Sequence, residues 1–226
     1  MNRHRRARIS RAQLVGIMED AATVDARAAY LLGDALAIVG EVPEFDEAQR
    51  MLRAWLADGA HRKNTLAGGY GHQGAIALWD AWYPQLAKRV LSGTLGDELT
   101  GQLPTLLDNP PELVGSAWDN VGYYGYVSRA LSTMRGRSPG EKGRMFCGNG
   151  SPQECKRQLQ VTFLRAAENV RAQQRGRAPG EWTYDGRADN ITFIPLGFFL
   201  MSDIPWQNRP TWQQVVNFSW HRPPSR

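Results

Sequence analysis

The residues of this chain that could do chemistry are few and scattered. Cys147 and Cys155 are the only cysteines, and they bracket a Gly- and Pro-containing stretch. A disulfide between them would pin that loop to the first turn of the helix that follows, stabilising by about 2–3 kcal/mol. Zinc is disfavoured, because no histidine stands near enough to complete a ligand set and two thiolates are too few. Two reduced structural thiols are the alternative, with a reactive thiol behind them. A disulfide would place the protein outside the cytoplasm.

Histidines stand at 4, 61, 72 and 221. His61 and His72 flank one Gly-rich loop and could suggest a metal or base pair. No carboxylate accompanies them at ligand spacing, so they read as loop histidines at a surface. Ser116, in Gly115-Ser116-Ala117-Trp118-Asp119, invites a nucleophile reading. A serine needs an adjacent base or its own freed α-amino group to attack, and a G-x-S-x-G elbow is absent. Ser116 and Asp119 fit an S-x-x-D capping box at a helix start instead. Asp20, Asp25 and Asp34 do not define an acid–base pocket from one helical stretch, and they read as solvated or locally paired carboxylates. No catalytic, cofactor-binding or metal-ligating residue is assigned from these groups.

The elements that must position these residues are mostly helical. Ser10 to Val39 shows a three-to-four spacing in Leu14, Ile17, Met18, Ala21, Ala22 and Val24, with Ser10 as N-cap and Gly33 as a candidate break. Pro43 and an acidic turn open a second helix, whose apolar face carries Met51, Leu52, Trp55 and Leu56. A third helix is expected from Gln73 to Leu91, with Pro84 predicting a kink or a restart. Residues 93–112 read as irregular. A fourth helix starts near Ser116–Asp119 and runs through Leu131, and a fifth spans Pro152–Gln174. After Gly180, the runs Trp182–Tyr184, Ile191–Ile194 and Val215–Phe218 read as short strands. The expectation is an α+β chain in a single region, 1–226, mainly helical over 1–179 and with terminal strands over 180–226.

Composition narrows the class. Hydrophobic residues make up 42% and charged residues 22%, which suits a folded globular chain. Lys and Arg number 27 against 22 Asp and Glu, and the excess is matched by Arg3, Arg5, Arg6, Arg8 and Arg11. The rest of the chain is neutral, which argues against a nucleic-acid surface spread over the fold. No stretch of apolar residues reaches the length of a membrane span, and the basic start is not followed by the apolar segment of a signal peptide.

Several stretches, in order, resemble the penicillin acylase (penicillin amidase) family, in the branch with aculeacin-type and acyl-homoserine-lactone acylases. Asp25-Ala26-Arg27 is similar to that family's D-x-R element. Leu52 to Arg62 resembles its L-x-x-W-D-x-x-G-x-x-R segment, with Leu56 where Asp is usual. Asp80-Ala81-Trp82 to Leu86 resembles a D-x-W-x-x-L helix, and Gly115 to Val127 resembles a G-S-A-Y-D-x-G-like element. Phe146 to Gly150 with Cys155 to Leu159 is similar to a C-G-x-G…C-R-x-x-L pair. Asn208-Arg209-Pro210-Thr211-Trp212-Gln213-Gln214-Val215-Val216 resembles the near-terminal N-R-P-T-[FY]-Q-Q-V-V.

The resemblance implies the C-terminal part of the large chain of an N-terminal-nucleophile hydrolase of αββα fold. Such enzymes cleave linear amides, removing acyl side chains from β-lactams, lipopeptides or acyl-homoserine lactones. It also implies that the nucleophilic serine, the oxyanion asparagine and the calcium-binding acids lie upstream. On that reading the chain carries no cofactor, its partners are the remainder of the acylase, and it is exported as part of a precursor. It would be structural and inactive alone. A free-standing helical module binding acyl or aromatic ligands is the alternative.

Overall fold

Ser10 caps the first helix as its position ahead of an apolar repeat predicts. The Gln13 N–H donates to Ser10 Oγ at 3.2 Å, and the Ser10 N–H donates to Gln13 Oε1 at 2.8 Å, closing a capping box. The computed structural model describes residues 9–63, 69–107, 124–137, 146–190, 202–205 and 207. Within these, α1 spans Arg11–Ala22, α2 Gly33–Val39, α3 Asp46–Ala57, α4 Gln73–Leu107, α5 Tyr124–Met134 and α6 Pro152–Gln173. A π-helical turn, Ala28–Leu32, leads into α2.

The first helical stretch differs from expectation in two ways. It breaks at Thr23–Val24 rather than at Gly33, which sits in helical geometry with φ −60° and ψ −42°. The second difference is that Leu14 and Ile17 do not point inward. They are 41% and 55% exposed, and α1 buries only Ala22. The break explains both, because the backbone turns at Thr23 and it is the segment after it, with Leu31, Leu32, Ala35, Leu36 and Val39, that enters the core.

The other helices follow their apolar spacing more closely. Leu52 and Trp55 of α3 are fully buried, and so are Cys155, Leu159, Phe163 and Ala166 of α6. Ser151 caps α6 through the Glu154 N–H, with Pro152 at the first helical position, where its missing N–H is harmless. Helix α4 continues through Pro84 and well past Leu91. Its single non-helical residue is Gly96, at φ 79° and ψ 161°. Glycine tolerates that conformation without a Cβ clash, so the helix breaks there and not at the proline.

The core lies between α4 and α6 and is aromatic. The Trp82 ring meets Phe163 edge-on at 5.0 Å and Trp79 at 5.8 Å. The Trp82 indole N–H, buried with its ring, donates to Thr162 Oγ1 at 3.0 Å. Rings of this size dominate core energetics when their polar atoms are satisfied.

Cys147 and Cys155 form a disulfide, their Cα atoms 5.1 Å apart. It closes the turn Cys147–Gly150 onto the start of α6, as its sequence position suggests. Gly148 there has φ +62°, and a Cβ on it would collide with the Cys155 backbone nitrogen.

Strand formation after Gly180 fares differently. Trp182–Tyr184 lies between two 3-10 turns, Pro179–Glu181 and Gly186–Asp189, and is not a strand. Side chains take the place of a neighbouring strand: Gln73 Oε1 accepts the Tyr184 N–H at 3.2 Å, and Gln174 Nε2 donates to the Thr183 carbonyl at 2.9 Å. The expected strands at 191–194 and 215–218 lie outside the described residues, as do Ser116 and Asp119. Among the described residues β pairing is limited to isolated bridges such as Val24 with His61 and Gly69 with Asp185. No described helix is long and apolar enough to cross a membrane.

Candidate functional site

Charged residues are rare in a protein interior unless paired, so a group of them there marks a built site. Asp25, Arg27, Arg62 and Asp189 are each buried to within 1% of complete, and the Asp80 side chain is 11% exposed. They come from four separate stretches. The break after α1 supplies Asp25 and Arg27, and the exit from α3 supplies Arg62. The second turn of α4 carries Asp80, and the 3-10 turn Gly186–Asp189 ends on Asp189.

Local chain geometry brings them together. Just past the end of α3, Gly59 has φ +86°, and Ala60 follows in the left-handed region at φ +55°. This double reversal sends His61 and Arg62 back alongside Val24. The Asp25 N–H donates to the Ala60 carbonyl at 2.9 Å, and the Arg62 N–H to the Thr23 carbonyl at 2.7 Å. Trp55 holds the loop from beneath, its indole N–H donating to the His61 carbonyl at 2.9 Å. A non-glycine residue at positive φ is held only where surrounding contacts over-determine it, and these contacts do so.

Arg62 is the hub. Its Nε donates to Asp25 Oδ2 at 3.0 Å, its Nη1 to Asp189 Oδ2 at 2.6 Å, and its Nη2 to Asp80 Oδ1. Arg27 grips Asp25 with two bonds of 3.1 and 2.7 Å and reaches Asp80 Oδ1 at 2.9 Å. The Ala28 N–H adds a bond to Asp25 Oδ1 at 3.2 Å. Two phenols complete the set: Tyr70 donates to Asp189 Oδ2 at 2.8 Å and Tyr184 to Asp189 Oδ1 at 2.6 Å. The Arg27 guanidinium also lies over the Tyr83 ring at 5.1 Å, and Arg62 over Tyr184 at 5.9 Å.

The electrostatics follow from this packing. Burial pushes the Asp25 carboxyl up, but Arg27 and Arg62 outweigh it and hold the group down at about 2. Burial likewise opposes charge on Arg62, and Asp80, Asp25 and Asp189 overcome it and raise its pKa. Burial and then Asp189 drive the Tyr70 phenol far above its ordinary range, and burial with Asp80 and Asp189 does the same to Tyr184. Each of these shifts moves away from neutrality. A general acid or base needs a pKa near the working pH, so these shifted groups are suited to clamping and not to proton transfer.

A family model described as penicillin amidase matches residues 1–223. The chain belongs to this family. No curated protein matches it at a significant level. Three of the penicillin amidase-like segments read from the sequence contribute to the clamp. Asp25 and Arg27 are the D-x-R element, Trp55 and Arg62 belong to the second segment, and Asp80 opens the third. Leu56, where Asp is usual, is half-buried against Gly33, 3.4 Å from where a Cβ on that glycine would lie. An apolar side chain suits that place.

The other candidate residues fall elsewhere. Asp20 is exposed and pairs with Lys63, as a solvated carboxylate should. Asp25 and Asp34 are not solvated. Asp34, 5% exposed, accepts from Ser132 Oγ at 3.0 Å and pairs with Arg137. His61 and His72 do have carboxylates beside them, Asp20 at 3.7 Å and Asp58 at 3.0 Å, brought in by folding and invisible to spacing. Among the described residues no group of three or more His, Cys, Asp or Glu could hold a metal. Asp189 and its two phenols carry no mark of this role in the sequence. Asp80 left a signal, an acid inside the apolar run Leu78-Trp79…Trp82-Tyr83.

Proposed function

We propose that this chain is the C-terminal scaffold of a penicillin amidase-type hydrolase of linear amides, inactive by itself. The observation that carries the scaffold reading is the clamp, whose buried charges pair with one another, Asp80 through Oδ1 alone. In the whole enzyme the nucleophilic serine, the oxyanion asparagine and the calcium-binding acids belong to the upstream chain regions. There a freed α-amino group acts as base and preorganised donors stabilise the tetrahedral anion. The partners of this segment are then the rest of the acylase, within an αββα N-terminal-nucleophile fold. Export with the precursor suits the disulfide.

The test is complementation. The chain is co-expressed with an upstream segment of a family acylase that ends where this one begins, and hydrolysis of phenylacetyl- and fatty-acyl-amides is followed. Restored turnover that is lost with Arg62→Met supports the reading, and soluble co-purified segments with no turnover overturn it.

One observation favours a second reading as a binding module. A cavity of about 420 Å3 opens between α3 and the start of α4, lined by Met51, Tyr70, His72, Gln73, Trp182 and Thr183. Saturable binding of an aromatic carboxylic acid, abolished by His72→Ala, would support it.

A further inference from the structure

Helix α1 is almost bare, so what holds it is its last turn. Two backbone hydrogen bonds cross the break, at Asp25 and Arg62. Beside them lies the His61 ring, 14% exposed, with Nδ1 2.9 Å from Thr23 Oγ1. The Thr23 hydroxyl has one proton, and it donates to the Asp20 carbonyl at 2.9 Å, an oxygen that only accepts. In the His61–Thr23 bond the ring is therefore the donor. A neutral ring with its proton on Nδ1 presents a bare lone pair at Nε2, and Nε2 faces Asp20 Oδ2 at 3.7 Å. Two acceptors then oppose each other until Nε2 takes a proton. The free carbonyls at the C-terminal end of α1 favour a cation in the same place. Lys63 opposes it, since its ammonium already pairs with Asp20. Asp20 from α1 and Lys63 from the ring's own loop are the charged groups that face His61 among the described residues. The ring itself packs over Gly59, where a Cβ would stand 2.7 Å from Nε2.

We propose that His61 is a proton-operated latch on helix α1. With Nε2 protonated, the ring bridges Thr23 and Asp20 and ties the end of α1 to the loop 60–63. With the proton gone, that bridge is lost and α1 opens more often, carrying Leu14, Val15 and Ile17 with it. The latch rests on geometry alone and stands whatever the fate of the scaffold reading.

Amide hydrogen exchange of the full chain tests it, corrected for intrinsic exchange and measured on both sides of the His61 titration followed by NMR. Protection across residues 14–22 should fall about two- to fivefold as the ring loses its proton, the size expected of one half-exposed ion pair. The fall should vanish in His61→Gln and in Asp20→Asn, and Lys63→Met should enlarge the fall. Ring 15N shifts should report the Nδ1–H form at high pH. A wild-type profile that His61→Gln leaves unchanged, no fall in the wild type, or an Nε2–H ring would each overturn the latch.

Discussion

Replacing Arg62 with methionine tests the clamp most severely. The side chain is fully buried and, among the described residues, is the only cation paired with Asp189, while it also serves Asp25 and Asp80. Its loss strands the Asp189 carboxylate among phenols and leaves Arg27 to balance Asp25 and Asp80. Breaking a buried pair from one side costs about 3–5 kcal/mol, chiefly the penalty of the uncompensated charge. In urea, followed by tryptophan fluorescence, the unfolding midpoint of Arg62→Met should drop by roughly 1–2 M. If stranded charge is the cause, neutralising it should help. Asp189→Asn, damaging in the wild type, should partly rescue Arg62→Met, so that the double variant is less destabilised than the sum by about 1–3 kcal/mol. A loss below about 1 kcal/mol for Arg62→Met, or strict additivity, would refute the reasoning.

Acid should loosen the same site. The Asp25 carboxyl is held down at about 2 in the fold. A depressed carboxyl adds stability above its unfolded pKa, and that stability disappears as pH falls through the folded value. The contribution is about 2 kcal/mol, lost between roughly pH 4 and pH 2. Urea midpoints measured over that range should decline more steeply in the wild type than in Asp25→Asn, and parallel slopes would contradict the assignment. Cys147→Ser should lower stability by about 2–3 kcal/mol, and a reductant should reproduce that loss in the unfolded-and-refolded wild type but add nothing to the variant. Gly148→Ala combines a positive φ with a clash against the Cys155 backbone. A loss of about 2 kcal/mol or more is expected by the same denaturation assay.

What the sequence revealed follows a physical line. Helices α3 and α6 were legible because their apolar residues repeat at helical spacing and their starts carry the expected Pro, Ser or acidic residues. The disulfide was legible because the loop is short and ends at a helix start. The position of the break after Ala22 was not, since nothing in Thr23-Val24-Asp25 disfavours helix strongly; tertiary bonds from Ala60 and Arg62 decide it. The clamp was half legible. Asp25, Arg27, Arg62 and Asp80 stand within the family-like segments, and Asp25 reads as solvated or locally paired. It is paired with Arg27 two residues on, but its burial depends on Arg62, 37 positions away, which in turn reaches Asp189 across 127. Tyr70 and Tyr184 carry no local mark of their shared carboxylate. Pro84 shows the converse: a residue that disfavours helix, itself exposed, is carried through by the burial of its helix neighbours Trp79, Trp82 and Tyr83 in the core.

At the centre stands the proposal that this member of the penicillin amidase family is a scaffold without its own nucleophile. The most direct measurement is hydrolysis of phenylacetyl- and fatty-acyl-amide substrates by the purified 226-residue chain alone. No turnover above the uncatalysed rate is expected at any substrate concentration. Turnover by the isolated chain that disappears in Ser116→Ala would contradict the proposal.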